Sequence, residues 1–248
     1  MRRVPKLVPP AIAAVLVIFM IWVPFRTSNT NSRHWKSQSE AWKAQATTRD
    51  EYITRLLEDE RLPLVYLDVT ILGEPIGRVE VVLFSDTSPR HAENFRRLVT
   101  GEVSGPDGQP LWLRDAPFYR IIDGFIDQAG INTGSAINGG AFRDDPGGLE
   151  LRHDRAGLLS SANTGPDTNT AHFSIMMGPA PHLDGSYTIF GQVVSGFSTI
   201  ESINALSHGK PDNTATAEDG AKIASCGQLR KGDPSLVTEE ILLLEINA

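Results

Sequence analysis

Alternation of apolar and polar side chains marks the start of a folded region about a quarter of the way along the chain. Residues 65–71 (VYLDVTI) and 78–84 (RVEVVLF) alternate with a period of two, and LGEPIG between them supplies turn residues. This period is typical of strands with one buried face, so the two runs predict a β-hairpin. Residues 87–101 then show helical spacing, with Pro89 suited to the first turn and Gly101 to the end.

A second amphipathic helix is predicted near residue 200, where Ser198 and Glu201 have the spacing of a capping box. Between the two helices lie about 95 residues rich in Gly, Pro, Asn and Asp, with short apolar runs that indicate short strands joined by long loops. Residues 222–224 and 237–246 would add closing strands. The pattern predicts a mainly β fold, a closed eight-stranded antiparallel β-barrel capped by two α-helices, since closure removes exposed sheet edges.

The N-terminal quarter of the chain has a different pattern. Residues 7–25 carry no charge over 19 positions, against about 20 needed to cross a hydrocarbon core. Basic residues precede this stretch within 1–6, and Trp22 lies near its far end, where an indole suits the lipid–water interface. We expect a cytosolic tail at 1–6 and a transmembrane signal anchor at 7–25 that contacts the lipid bilayer. A cleaved signal peptide is the alternative.

Residues 26–62 are polar and become rich in helix formers from His34 onward. They predict a partly helical stem, with a helix lying on the domain or on the bilayer as the alternative. Residues 63–248 would then form one domain. Because a long C-terminal body can be translocated whatever its charge, we expect a single-pass type II protein with this domain in the lumen of the ER or Golgi. A plastid membrane is a second possible location.

Composition and charge exclude several classes of protein. The chain has 40% hydrophobic and 21% charged residues, which is ordinary for a globular protein. Its single cysteine, Cys226, rules out an intramolecular disulfide and any zinc site built from several cysteines. Residues 1–63 carry a charge of +4 and residues 64–248 a charge of −11. An acidic main body argues against nucleic acid as a partner.

Five stretches form a set that is more specific than any one of them alone. They are residues 65–102, FYRIIDGFIDQAG (118–130), GLLSSANTGPDTNTAHFSIMM (157–177), HLDGSYTIFGQVVSG (182–196) and SCGQL (225–229). Together they resemble the cyclophilin family of peptidyl-prolyl cis-trans isomerases. The resemblance implies a barrel capped by two helices and an enzyme that needs no cofactor. Its substrates would be X–Pro bonds, whose rotational barrier of about 20 kcal/mol makes the uncatalysed reaction slow.

The resemblance also implies roles for individual side chains. Arg120 corresponds to the catalytic arginine and Gln128 to the glutamine that orients it. Rotation removes amide resonance, so a rigid, permanently charged guanidinium can donate to the prolyl nitrogen without any proton transfer or nucleophile. The residues expected to bind substrate are Phe118, Tyr119, Phe125, Ile126, Ala162, Asn163, Thr164, His172, Ser174, His182, Leu183 and Tyr187.

Five of these positions depart from the family's usual pattern. Tyr119 replaces the usual histidine, His172 a glutamine, and Ser174 an aromatic residue in the wall of the proline pocket. His182 replaces a tryptophan, and Tyr187 replaces a histidine at the pocket rim. The serine is the most damaging, because it removes apolar contact worth roughly 2–3 kcal/mol. The tryptophan is associated with tight cyclosporin binding, so weak or no cyclosporin binding is expected. A metal site from His153, His172 and His182 has no supporting spacing, and we expect no metal.

The sequence therefore predicts a membrane-anchored peptidyl-prolyl isomerase that binds proline-containing segments of client proteins and assists folding. The alternative is a catalytically weak or inactive module of the same fold that binds proline-containing segments as a scaffold. A lipocalin-like barrel would match the strand count but not the motifs.

Overall fold

The computed structural model describes residues 48–105 and 107–231. The predicted tail at 1–6, the anchor at 7–25, the first part of the stem and the closing strand at 237–246 lie outside these ranges. Within the described part of the chain, no helix is long and apolar enough to cross a membrane.

Nine antiparallel strands of the described chain form one curled sheet, whose spatial order is β8-β3-β4-β6-β5-β7-β2-β1-β9. The predicted hairpin is confirmed as the pair of β1 and β2. In chain order the strands are β1 (Leu64–Ile71), β2 (Glu74–Leu83), β3 (Phe118–Ile122), β4 (Ile126–Gly130), β5 (Leu158–Ser161), β6 (His172–Met176), β7 (Ile189–Ser195), β8 (Thr214–Thr216) and β9 (Ala221–Leu229).

The sheet does not form the predicted closed eight-stranded barrel. Its end strands are β8 and β9, and among the described residues these two are not paired. Strand β8 is three residues long and leads directly into a 3-10 helix (Ala217–Asp219), and among the described residues its one strand partner is β3. The two ends meet instead through loop residues: the Asp115 N–H donates to the Ile223 carbonyl at 2.7 Å, and the Ile223 N–H donates to the Ala116 carbonyl at 3.0 Å.

The described chain contains four α-helices, and α2 confirms the first predicted helix. Pro89 occupies its first turn, and Gly101 ends it in the left-handed conformation at φ 64°. The predicted capping box before α4 is wrong, because the residue that precedes this helix is Gly196 and Ser198 lies inside the first turn. Gly196 has φ 84°, and a Cβ there would lie 2.0 Å from the Arg78 carbonyl oxygen. The helices are α1 (residues 48–58), α2 (Pro89–Thr100), α3 (Pro146–Glu150) and α4 (Phe197–Asn204).

The described end of the predicted stem is helical and packs on the domain. Leu56 of α1 is buried in an apolar cluster that includes Leu64, Val82 and Phe84 of the sheet region. The Lys231 ammonium donates to the carbonyls of Leu56 and Asp59, at 2.8 and 2.6 Å, where the C-terminal end of the helix leaves carbonyl groups without intrahelical partners. Residues 48–62 therefore share a core with the sheet.

Candidate active site

A groove of about 1090 Å³ lies across β3, β4 and β6 and the loops that follow β5 and β6. It brings together every predicted catalytic or substrate-binding residue except one. The residues of that set that line it are Tyr119, Arg120, Phe125, Ile126, Gln128, Ala162, Asn163, Thr164, His172, Ser174, His182, Leu183 and Tyr187.

Strand alternation builds the floor of this groove. Successive side chains of a strand point to opposite faces, so every second residue lies on the groove side. On β4 these residues are Ile126, Gln128 and Gly130, and on β6 they are His172, Ser174 and Met176. The two strands pair Ile126 with Met176, Gln128 with Ser174, and Gly130 with His172. The intervening Ala129, Phe173 and Ile175 are buried in the main core.

Phe118 is the exception to the predicted site. Its side chain is fully buried in the main core and does not line the groove. Simple alternation would place Phe118 and Arg120 on the same face, but the β3–β4 ladder shifts register between them. This bulge leaves Phe118 opposite Ala129 on the core side and Arg120 opposite Gln128 on the groove side. The assignment of Phe118 to substrate binding is corrected to a core position.

Arg120 is held by a hydrogen-bonded row of side chains that crosses three strands. Its guanidinium Nη1 donates to Gln128 Oε1 at 3.0 Å, and Gln128 Nε2 donates to Ser174 Oγ at 3.1 Å. The glutamine amide is oriented by both contacts, with its oxygen toward the arginine. Arg120 itself is exposed, so the remaining guanidinium N–H groups face the open groove.

A second row of hydrogen-bonded polar side chains begins next to Ser174, on strand β5. Ser160 of β5 pairs with Ser174 across the ladder, and its hydroxyl lies 2.9 Å from His153 Nε2. His153 Nδ1 lies 3.0 Å from Asp184 Oδ1, which also accepts from the His153 backbone N–H at 2.8 Å. Burial lowers the pKa of His153, which favours a neutral ring at this position. Ser160 and Ser161 both line the groove and are almost fully buried.

Apolar and aromatic side chains form the other side of the groove. Phe125 and Leu183 are half-buried and pack on a cluster that contains Ile126 and Met176. The rings of Phe125 and His182 lie with centroids 5.3 Å apart. This arrangement can hold a small ring against rotation while the groove stays open beside it.

The two residues that replace the family's usual polar groups also contact each other. The ring of Tyr119 meets the ring of His172 edge to face, with centroids 5.4 Å apart. Burial lowers the pKa of His172 and raises the pKa of Tyr119, so both rings favour their neutral forms at neutral pH. His172 Nδ1 is buried without a hydrogen-bond partner in the described structure.

The loop after β5 presents unused backbone groups to the groove. Among the described residues, the backbone groups of Ala162 and Asn163 make no backbone–backbone hydrogen bond. The Asn163 side chain braces the loop: its Nδ2 donates to Asn169 Oδ1 at 2.9 Å, and its Oδ1 accepts from the Gly165 N–H at 3.3 Å. An extended peptide could therefore pair with this edge, as a strand adds to a sheet.

A cluster suited to a metal ion, meaning three or more His, Cys, Asp or Glu side chains, is not present among residues 48–105 and 107–231. The His153 ring instead contacts the Ser160 hydroxyl and a carboxylate oxygen of Asp184.

Comparison with protein families identifies the domain that carries this groove. The family model described as cyclophilin type peptidyl-prolyl cis-trans isomerase/CLD matches residues 66–228, which is more than half of the chain. The chain belongs to this family. It is thus a cyclophilin-type peptidyl-prolyl cis-trans isomerase, and membership supports a folding role and the binding of proline-containing peptides.

Several residues that line the cyclophilin groove were not predicted from the sequence. Met176 and Gly130 share faces with predicted residues, so the two-residue period of β4 and β6 would have found them. Ser160 and Ser161 carry no such local signal, because all four residues of β5 are buried. Their position depends on the pairing of β5 with β6, which is a long-range contact.

Proposed function

We propose that this cyclophilin catalyses rotation of X–Pro bonds and that Arg120 stabilises the twisted prolyl amide. The observation that carries the proposal is the hydrogen bond from Arg120 to Gln128 at the centre of a groove with one apolar and one polar side. The twisted amide loses resonance, and its nitrogen becomes a better hydrogen-bond acceptor than in the planar ground state. A fixed N–H donor therefore binds the transition state more tightly than the substrate, which is the condition for catalysis.

The other groove residues would hold the two halves of the substrate separately. Phe125, Ile126 and Leu183 would fix the proline ring, and the backbone at Ala162 and Asn163 would pair with the preceding part of the peptide. Since only the bond between these halves must turn, the reaction needs no proton transfer, and no titratable group need act as acid or base.

An exchange measurement tests the proposal. Two-dimensional NMR exchange spectra of an Ala-Pro-Phe peptide with catalytic amounts of the full-length protein should show accelerated cis–trans exchange. Chemical-shift changes in the protein should map to Gln128, Asn163 and the Phe125 region.

Ser174 favours a second candidate function. A hydroxymethyl group gives the ring less apolar contact than an aromatic wall, by roughly 2–3 kcal/mol if nothing refills the space. The protein would then act as a scaffold that binds proline-containing segments without turning them. Shift changes without accelerated exchange would establish this function in place of catalysis.

We also propose that residues 7–25 anchor the protein as a type II membrane protein with the domain in the lumen of the ER or Golgi. The support is the uncharged length of this stretch and the basic residues before it. Gly140→Thr would complete an Asn-X-Thr acceptor at Asn138, which is exposed, and a side chain at 140 meets nothing within 4 Å. Glycosylation of this variant in microsomes, with retention in the carbonate-resistant membrane fraction, is expected. An unglycosylated product would contradict the lumenal location.

A further inference from the structure

Ser174 has an unused hydrogen-bond donor in the floor of the groove. Its hydroxyl oxygen accepts from Gln128 Nε2 at 3.1 Å, and among the described residues the hydroxyl donates to no group. The residue is only 4% exposed, yet it lines the groove. Because a nearly buried hydroxyl needs a hydrogen-bond acceptor, this position favours a bound ligand that brings an acceptor into the groove.

Ser174 has polar neighbours on strand β5 and apolar neighbours further along β6 and on β4. Ser160 lies opposite it on β5, and Ser161 follows Ser160 along the groove. Met176, two residues further on β6, pairs with Ile126, which belongs with Phe125 and Leu183 to the apolar cluster. We call Ser160, Ser161 and Ser174 the serine floor. A ring bound against the apolar side would point its far edge toward this floor.

The chemistry of such an occupant follows from the shape of a prolyl residue. The ring is attached to the chain through its nitrogen and Cα, so C4 is the ring atom farthest from the backbone. A hydroxyl on C4 would therefore reach deepest into the pocket, where Ser174 can donate to it. An unsubstituted proline would leave this donor unsatisfied or would require a water trapped beneath the ring.

We propose that the serine floor selects hydroxylated prolyl rings, so that the preferred substrates of this groove are peptides with an X–4-hydroxyproline bond. This inference rests on the proposed isomerase function and names its substrate class. A site built to bond a substrate hydroxyl discriminates against the analogue that lacks it, because its own polar group is then left unpaired.

The test compares two peptides that differ in one hydroxyl group. Cis–trans exchange of Ala-Ala-Pro-Phe and of Ala-Ala-Hyp-Phe, with (4R)-hydroxyproline, is measured by two-dimensional NMR with full-length wild type and with Ser174→Ala. Each catalysed rate is divided by the uncatalysed rate of the same peptide. The ratio of the hydroxyproline to the proline acceleration should be about threefold to tenfold higher for wild type than for Ser174→Ala, the range expected of one hydrogen bond.

Two further variants separate the effect of the Ser174 hydroxyl on this ratio from the effect of pocket size. Ser174→Thr keeps a hydroxyl and should keep a high ratio, whereas Ser174→Phe fills the floor with an apolar ring and should lower it. They also decide the matter if Ser174→Ala does not fold.

The outcomes distinguish this inference from the function on which it rests. Acceleration of both peptides with equal ratios in wild type and the variants would overturn the substrate preference and leave the isomerase function standing. Acceleration of neither peptide by wild type would overturn the isomerase function and this inference with it.

Discussion

Asp127 lies on the core side of β4, directly behind the groove residues Ile126 and Gln128. Its side chain is fully buried, and its Oδ1 accepts from Asn204 Nδ2 at 2.7 Å. The other oxygen, Oδ2, has no partner in the described structure. Burial raises the pKa of this carboxyl to about 7. The folded protein therefore keeps a proton on Asp127 at pH values where an unfolded chain has released it.

This shift predicts a pH-dependent loss of stability. An unfolded aspartate ionises near pH 4, so between about pH 4 and pH 7 the folded state binds more protons and the free energy of unfolding falls as pH rises. Asp127→Asn keeps the acceptor for Asn204 and removes the ionisation. Urea unfolding should show this variant gaining about 2–4 kcal/mol relative to wild type between pH 4.5 and pH 7.5. The exposed Asp86→Asn is the control, and parallel pH profiles for Asp127→Asn and wild type would refute the assignment.

The presence of His182 in the groove leads us to expect weak binding of cyclosporin. It lies beside Phe125 at the groove, where the family often has a tryptophan, and an imidazole offers less apolar area than an indole. Calorimetric titration should give a cyclosporin dissociation constant above about 1 µM, and His182→Trp should tighten it about tenfold, as roughly 1.4 kcal/mol of added contact would. Submicromolar affinity of the wild type would contradict this reading.

Helix α1, for which the sequence predicted either a partly helical stem or a helix lying on the domain or the bilayer, packs on the domain. Besides the contact of Leu56 with the sheet region, Arg155 Nη2 donates to Tyr52 Oη at 3.0 Å, and its Nε donates to Gln192 Oε1 at 3.0 Å. The guanidinium of Arg155 also lies 4.7 Å from the Tyr52 ring centroid. One arginine thus ties the helix to β7, so the helix belongs to the folded unit.

Because α1 packs on the domain, removing a buried side chain from this helix should lower the free energy of unfolding. Leu56→Ala should lower the free energy of unfolding by about 2–4 kcal/mol, because the side chain is only 9% exposed and its removal leaves a cavity. Glu58→Ala, at an exposed position of the same helix, should change the free energy by less than about 0.5 kcal/mol. Chemical denaturation of the two variants measures both values. Equal stability of Leu56→Ala and wild type would show that α1 does not stabilise the domain.

The elements also show which features a sequence can predict. Helix α2 was predicted from local signals, because Pro89 and Gly101 mark its ends whatever surrounds it. The bulge that separates Phe118 from Arg120 has no local signal, since it depends on how β3 registers with β4. The start of α4 has no reliable local signal either, because it depends on the close approach of Gly196 to the Arg78 carbonyl, and these residues are far apart in the sequence.

In the whole molecule, the family motifs predicted most residues of the groove, and the remaining residues are brought to it by pairing between strands that are distant in the sequence. The linear pattern predicted the mainly β class but could not determine whether the sheet closes. Closure depends on the end strands β8 and β9, which are not paired with each other among the described residues. The loop at 115–117 contacts β9 instead. The serine floor likewise exists only after β5 and β6 have paired, and so no single stretch of sequence indicates it.

The guanidinium of Arg120, held by Gln128, is proposed to lower the barrier to prolyl rotation. Two-dimensional NMR exchange of an Ala-Pro-Phe peptide with full-length wild type, Arg120→Ala and Arg143→Ala measures this effect. Arg143 is an exposed arginine outside the groove, so its variant controls for the loss of one positive charge. Arg120→Ala should reduce the catalysed exchange rate by a factor of about 10 to 1000, equivalent to roughly 1.4–4 kcal/mol of transition-state stabilisation, and Arg143→Ala should leave the rate unchanged. An Arg120→Ala protein as active as wild type would show that Arg120 does not stabilise the transition state.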